Sequence, residues 1–264
     1  MLDTAIKAAR SAAEILLKNF GKISTHDIRE KNPNDFLTFV DEQAEQKIID
    51  VIKENYPDHA ILAEESGVQT QSGDYQWIVD PLDGTKNYIS GIPIFAISIA
   101  VKYKTDIILG VVLDPLREEL FWAEKNTGAY LNGRSIQVSS RSSLKSCMLG
   151  TGFPFKHKQI LHRYLSSFEE IFNNVSGIRR MGAASIDLAY IAAGRFDGFW
   201  EIGLNPWDVA AGSLIIQEAG GRISDFWGTD NYLYSNYFLA SNGLIHDQML
   251  KLLKIHFPSN IEIE

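Results

Sequence analysis

The chain predicts an α+β fold in which helical layers alternate with sheets, a layered αβαβα sandwich. Two helical repeats open the sequence, four β-rich segments follow between residues 75 and 124, and the second half alternates helix with strand. Leu2 to Phe20 places Ala5, Ile6, Ala9, Ala13, Leu16, Leu17 and Phe20 on one helical stripe. Asp41 to Asn55 repeats the pattern with Ala44, Ile48, Ile49, Val51 and Ile52. Residues 75–80, 94–103, 107–114 and 119–124 are rich in β-branched and aromatic side chains, which predicts mostly antiparallel strands of one sheet. Helices are then expected at 158–173, 184–193, 206–219 and 244–255, with strands at 196–201 and 236–241.

The 264 residues are 45% apolar and 22% charged, ordinary for a chain with a full core. A chain of this size buries roughly 70–75% of its unfolded surface and needs no disulfide. We find no repeat or linker, so one domain over 1–264 is expected, its halves 1–150 and 151–264 forming one site. The single cysteine, Cys147, has no internal partner and sits among Leu144, Met148 and Leu149, as a buried small hydrophobe would. The N-terminus lacks the basic start and apolar run of a signal peptide. The longest apolar run, Ile92 to Val101, is broken by Ser98 and is too short to span a bilayer. A cytoplasmic protein with no membrane partner is the expectation. The net charge of −8 argues against broad nucleic-acid binding, though not against a phosphorylated substrate held through metal ions.

The stretch from Trp77 to Thr85 carries the most chemistry. An apolar strand runs into Asp80-Pro81-Leu82-Asp83, then Gly84 and Thr85. Asp80 and Asp83 would flank one turn with the Leu82 carbonyl between them, a set of hard oxygens suited to Mg²⁺. Gly84 permits close backbone approach and Thr85 offers a hydroxyl to orient water. The alternative is a strand followed by an acidic turn. Upstream, Glu64 ends the apolar run Ala60-Ile61-Leu62, either as another metal carboxylate or as an exposed acidic turn. Downstream, Asn205, Pro206 and Asp208 suit the N-cap, first and third positions of a helix that stops at Gly220. Asp208 is then a ligand or simply a capping acid. Glu201 ends the strand before it and faces the same cleft. Asp41 opens the second helix, either as a first-turn acid or as the acceptor of the Thr85 proton. His157 and His162, five apart, read as a solvated helix face, since that spacing is poor for a zinc pair.

Taken together, these segments resemble the inositol monophosphatase family of Mg²⁺-dependent, lithium-sensitive phosphatases. The resemblance rests on Trp77 to Tyr88, on Trp207 to Gly221, and on Glu64-Glu65-Ser66 before them. Gly152 to Lys156 and Asp187 to Tyr190 look most like its bacterial SuhB-type branch. The resemblance implies the sandwich fold shared with fructose-1,6-bisphosphatase and two or three Mg²⁺ per site. Glu64, Asp80 and the Leu82 carbonyl would hold the first ion, and Asp80, Asp83 and Asp208 the second. Thr85 and Asp41, with Glu64, would activate water. Asp83, Gly84, Thr85, Gly182, Ala183, Ala184, Glu201 and Asp208 would bind a phosphate monoester, inositol-1-phosphate or a related polyol phosphate. Ala183 stands where many animal-type members carry threonine. Other branches take other sugar or nucleotide phosphates. A homodimer is implied. So is a second role of the SuhB-type branch, as a partner of transcription antitermination factors or RNA polymerase. Arg179 and Arg180, before Gly182, read either as part of a partner or dimer surface or as an ordinary exposed arginine pair.

Overall fold

The computed structural model describes residues 1–32, 35–68 and 73–258. Helices α1 (Leu2–Asn19) and α2 (Phe39–Asn55) flank a hairpin of β1 (Ile28–Asn32) and β2 (Asp35–Thr38). Next come β3 (Ala60–Ala63), β4 (Gly67–Val68), β5 (Tyr75–Asp83) and the short α3 (Thr85–Ile89). Strands β6 (Ala96–Tyr103), β7 (Asp106–Asp114), β8 (Glu119–Glu124), β9 (Ala129–Leu131) and β10 (Arg134–Ile136) complete the first half. The second half runs β11 (Met148–Thr151), α4 (Leu161–Phe172), β12 (Gly177–Arg179), α5 (Ala184–Ala192) and β13 (Gly198–Ile202). It ends with α6 (Pro206–Glu218), β14 (Arg222–Ser224), β15 (Tyr237–Ser241) and α7 (His246–His256).

Two sheets organise these elements. The larger has the order β10-β9-β8-β7-β6-β5-β3-β4, and the smaller β12-β11-β13-β15-β14. Apolar residues of α1 and α2 pack on one face of the large sheet. Those of α5 and α6 fill the space between the two sheets, joining residues of both halves in one core. Side chains of α4 and α7 cover the far face of the small sheet. The layers are therefore αβαβα, as the periodicity predicts. The period of two in β5 works directly here: Trp77 and Val79 enter the α1/α2 core, and Ile78 the α5/α6 core. Helix α6 lies in the middle layer and buries every residue from Val209 to Ile216, so small residues are needed where it crosses the sheet. A Cβ on Gly110 would lie 2.6 Å from the Ala211 carbonyl oxygen.

The structure changes several details. Strand β5 continues to Asp83, and its register against β6 shifts between Asp80 and Asp83. The acids thus sit on a bulged strand end, not on a turn after the strand, because Asp80 Oδ1 accepts the Leu82 N–H at 2.9 Å and bends the chain. Helix α2 begins at Phe39, since Thr38 caps it by accepting the Val40 N–H at 3.2 Å. The strand expected at 196–201 runs from Gly198 to Ile202, with Phe196 packed in the core before it. His157 precedes the helix at 161–172 and is not on its face; its ring lies against Gly203, whereas His162 is exposed on α4. Cys147 is fully buried, and burial pushes its thiol up to about 11. No helix among the described residues is long and apolar enough to cross a membrane.

Candidate active site

Asp41, at the third position of α2, answers both readings the sequence left open. Its Oδ2 accepts the Thr38 N–H at 2.9 Å and the Thr38 hydroxyl at 2.5 Å, closing a capping box. Its Oδ1 faces the Thr85 hydroxyl at 3.2 Å, across 44 residues of sequence. The same hydroxyl also lies 3.0 Å from the Leu82 carbonyl oxygen. Burial lifts the Asp41 carboxyl to about 6, against the pull of its Thr38 bonds.

The bulged end of β5 supplies two more acids. Asp80 is 1% exposed and rises well above the usual carboxylate range, first through burial and then through the charges of Glu64, Asp83 and Asp208. A hydrogen bond between its carboxyl and that of Glu64 adds to the rise. Asp208 and Asp83 are both raised by burial in the cleft wall; for Asp208 the charges of Glu64 and Asp83 come next. Four acids, Glu64, Asp80, Asp83 and Asp208, therefore press on one another in a region of low dielectric.

Three of them, Asp80, Asp83 and Asp208, are tethered by backbone donors. Asp208 is the third residue of α6, and its Oδ2 accepts the Asn205 N–H at 2.7 Å, as the Asn205-Pro206 signal predicts. Asp83 is held differently: its Oδ2 accepts the Ser185 N–H at 2.6 Å and the Ser185 hydroxyl at 2.5 Å. It thereby caps the N-terminus of α5, where residue Ala183 has no side chain able to do so. This finding explains Ala183: it is 1% exposed, its methyl would meet a Cβ on Gly84 at 3.3 Å, and the capping comes from the other half of the chain. Gly84, at φ +95°, opens α3 in the left-handed region that glycine tolerates. Asn87 on α3 donates to the carbonyls of Ile94 (2.8 Å) and Met181 (2.9 Å), fixing α3 against the Gly182 loop.

A cleft of about 150 Å³ opens beside these groups, lined by Asp83, Asp208, Gly182, Ala183, Ala184 and Glu201 among others. Glu201, next to last in β13, lies beside Gly152, where a Cβ would fall 1.9 Å from its carboxyl carbon. Burial raises Glu201 to about 8, opposed by the positive charge of Arg180. Lys86, Lys156 and Arg180 also line the cleft, and the Phe155 ring carries Lys86 at 5.0 Å and Arg180 at 5.6 Å. Arg180, read from sequence as part of a partner surface, thus faces the cleft, while Arg179 ends β12.

Sequence reasoning missed Glu45, Lys86, Asn87, Gly152, Lys156 as a cleft residue, and Ser185. Two signals were present. Ala183-Ala184 offers no cap for a helix, so a donor-accepting group had to come from elsewhere, and Gly150 and Gly152 in a strand segment mark close approach by another group.

Among the described residues, no three His, Cys, Asp or Glu side chains are already gathered as a metal cage. Asp80, Asp83 and Asp208 each commit one oxygen to a backbone N–H, which holds them along the cleft. The donors nevertheless fit a hard divalent cation. All are carboxylate or carbonyl oxygens, and their mutual repulsion is what a cation would relieve.

The sequence model of the inositol monophosphatase family matches residues 1–256. The Nus factor SuhB of Pseudomonas aeruginosa is 47% identical, over 99% of this chain and 98% of that one. Among solved structures, the extragenic suppressor protein suhB of Bartonella henselae superposes with TM-score 0.92 at 37% identity, covering 98% of this chain and 99% of that one. An IMPase of Thermotoga maritima superposes with TM-score 0.88 at 37% identity, covering 97% of each chain. With its layers, its strand-end acids and its capped Asp208 all accounted for, the chain belongs to the inositol monophosphatase family.

Proposed function

We propose that the chain is a Mg²⁺-dependent phosphate monoester hydrolase acting on inositol-1-phosphate and related polyol phosphates. The observation that carries this reading is the set of mutually repelling acids, Glu64, Asp80, Asp83 and Asp208, set beside the Thr85–Asp41 hydroxyl contact. Glu64, Asp80, the Leu82 carbonyl, Asp83 and Asp208 would hold two or three Mg²⁺, which when bound acidify the attacking water and stabilise the departing alkoxide.

The chain's own residues do the rest. Thr85 donates its proton to Asp41, which leaves its oxygen lone pairs to accept from, and so orient, a water for in-line attack. The Gly84 and Thr85 amides at the start of α3 would bind the phosphate oxygens, and Lys86, Lys156 and Arg180 make the cleft attractive to an anion. Glu201, raised to about 8, is protonated near neutral pH and can both donate to and accept from a substrate hydroxyl. Gly182, Ala183 and Ala184 form the small-residue wall opposite. No side chain is needed as a covalent nucleophile.

The test is phosphate release from inositol-1-phosphate with Mg²⁺, with and without Li⁺, beside Asp83→Asn. Turnover that needs Mg²⁺ and falls by orders of magnitude in the folded mutant supports the reading; near-normal turnover in that mutant sinks the metal assignment. A second reading, a binding partner in transcription antitermination, is favoured by relatives that carry the name Nus factor SuhB. That role should survive Asp83→Asn, whereas phosphatase-dependent biology should not.

A further inference from the structure

Helix α2 presents two buried acids one turn apart, Asp41 (1% exposed) and Glu45 (3% exposed). Asp41 is used at Thr85. Glu45 does not line the cleft. Its Oε2 accepts the Glu65 N–H at 2.8 Å and its Oε1 accepts the Ser66 N–H at 2.9 Å. Both carboxylate oxygens are thus spent on the two consecutive amides that follow Glu64. On the other side, the Glu64 N–H donates to the Val79 carbonyl of β5 at 3.1 Å, one residue before Asp80.

From these contacts we infer that Glu45 is a positioning residue that clamps the 64–66 turn and so holds the Glu64 carboxyl against Asp80 for divalent-cation binding. The inference rests on the metal-dependent reading above. The physical need is plain. Glu64 and Asp80 repel when both are charged, and a half-exposed Glu64 on a turn can relieve that repulsion by swinging to water. A mechanical constraint on the turn keeps the pair together when both are charged, before a cation arrives. The pairing of Ala63 with Gly67 and the pin to Val79 hold the ends of the turn; two further bonds from the seventeen-residue helix fix its Glu65 and Ser66 amides. Charge-assisted bonds from amides to a buried carboxylate are also the strong kind. Because Asp41 and Glu45 share one helix, the same rod sets Thr85 and Glu64 relative to each other.

The variants are Glu45→Gln, which offers one amide oxygen where two N–H groups need acceptors, and Glu45→Ala, which offers none. Mg²⁺ binding is measured by calorimetry without substrate, and turnover is measured over a range of Mg²⁺ concentrations. Circular dichroism confirms folding. We expect Mg²⁺ affinity to fall about tenfold in Glu45→Gln and further in Glu45→Ala, with turnover recovering at high Mg²⁺. A folded Glu45→Gln protein with unchanged Mg²⁺ affinity overturns the inference, as does lost turnover that no Mg²⁺ concentration restores. If neither the parent nor the variants release phosphate yet Mg²⁺ affinity drops as expected, the phosphatase reading fails while the clamp stands. Should Glu45→Ala not fold, Glu45→Gln decides alone.

Discussion

Gly152→Ala isolates what Glu201 contributes. The added methyl would lie 1.9 Å from the Glu201 Cδ and Oε1 and 2.1 Å from Oε2. Ordinary contact needs about 3.4 Å, so the carboxyl must move by roughly 1.5 Å. The backbone at Gly152 is not in the left-handed region, and the displaced atoms are the free end of a flexible side chain. The fold should therefore lose little, about 1 kcal/mol or less. The site should lose far more. A displacement of this size costs about 10²-fold when it concerns an aligned group, and a hydrogen bond to a charged or strongly polar partner is worth about 1.5–3 kcal/mol. We expect kcat/KM on inositol-1-phosphate to fall between about tenfold and a hundredfold. The control substrate is p-nitrophenyl phosphate, which has no ring hydroxyls and should lose less than about threefold, since its phosphate contacts do not involve Glu201. Steady-state kinetics on the two esters, with thermal melts in parallel, makes the comparison. Equal losses on both esters, or no loss on inositol-1-phosphate, would refute the assignment of Glu201 to the alcohol side of the cleft.

Three further outcomes are expected. Gly110→Ala drives a Cβ to 2.6 Å from the Ala211 carbonyl oxygen, backbone against backbone, so urea melts should show a loss of about 1–3 kcal/mol. Arg180→Gln removes a cation from the cleft and should raise KM about threefold to tenfold at low salt, with a flatter dependence on ionic strength; an unchanged salt profile would place Arg180 outside the phosphate's field. His246 bonds the Ser224 hydroxyl through Nε2 and the Ser241 hydroxyl through Nδ1, both at 2.9 Å, and burial lowers its pKa to about 4. The unfolded chain then binds the extra proton first. Its contribution is complete above about pH 6.5 and is lost as pH falls toward 4, amounting to roughly 3 kcal/mol. Denaturant melts from pH 7 to 4.5 and the proton NMR titration of the ring both report it; a ring titrating near 6.5 in the folded protein contradicts the assignment.

How much was legible beforehand depends on the range of the signal. The helices α1 and α2 follow from a period carried by their own residues, and α6 from its Asn205-Pro206-Asp208 cap, complete within four residues. The strands β5 to β8 were visible because each is six residues or longer. Strands β9, β10, β12 and β14 have three residues each, too few to show alternation, and exist only through their pairing. The chemistry divides in the same way. Asp80, Asp83, Gly84 and Thr85 lie together in the chain, so their types and order announce an oxygen-rich site. Nothing local distinguishes Glu45 from any other acid on a helix, or Ser185 from a solvated serine. Their partners lie 20 and 102 residues away.

The sequence by itself determined the layers, the cap of α6 and the inventory of acids, because periodicity and that cap are satisfied by neighbours within a few residues. Only the tertiary structure decided which acids confront one another. Asp83 becomes the cap of α5, Glu45 the clamp on the Glu64 turn, and Glu201 the occupant of the space Gly152 leaves open. Those roles come from distances between elements brought together by the burial of apolar faces, and no pattern along the chain encodes such a distance.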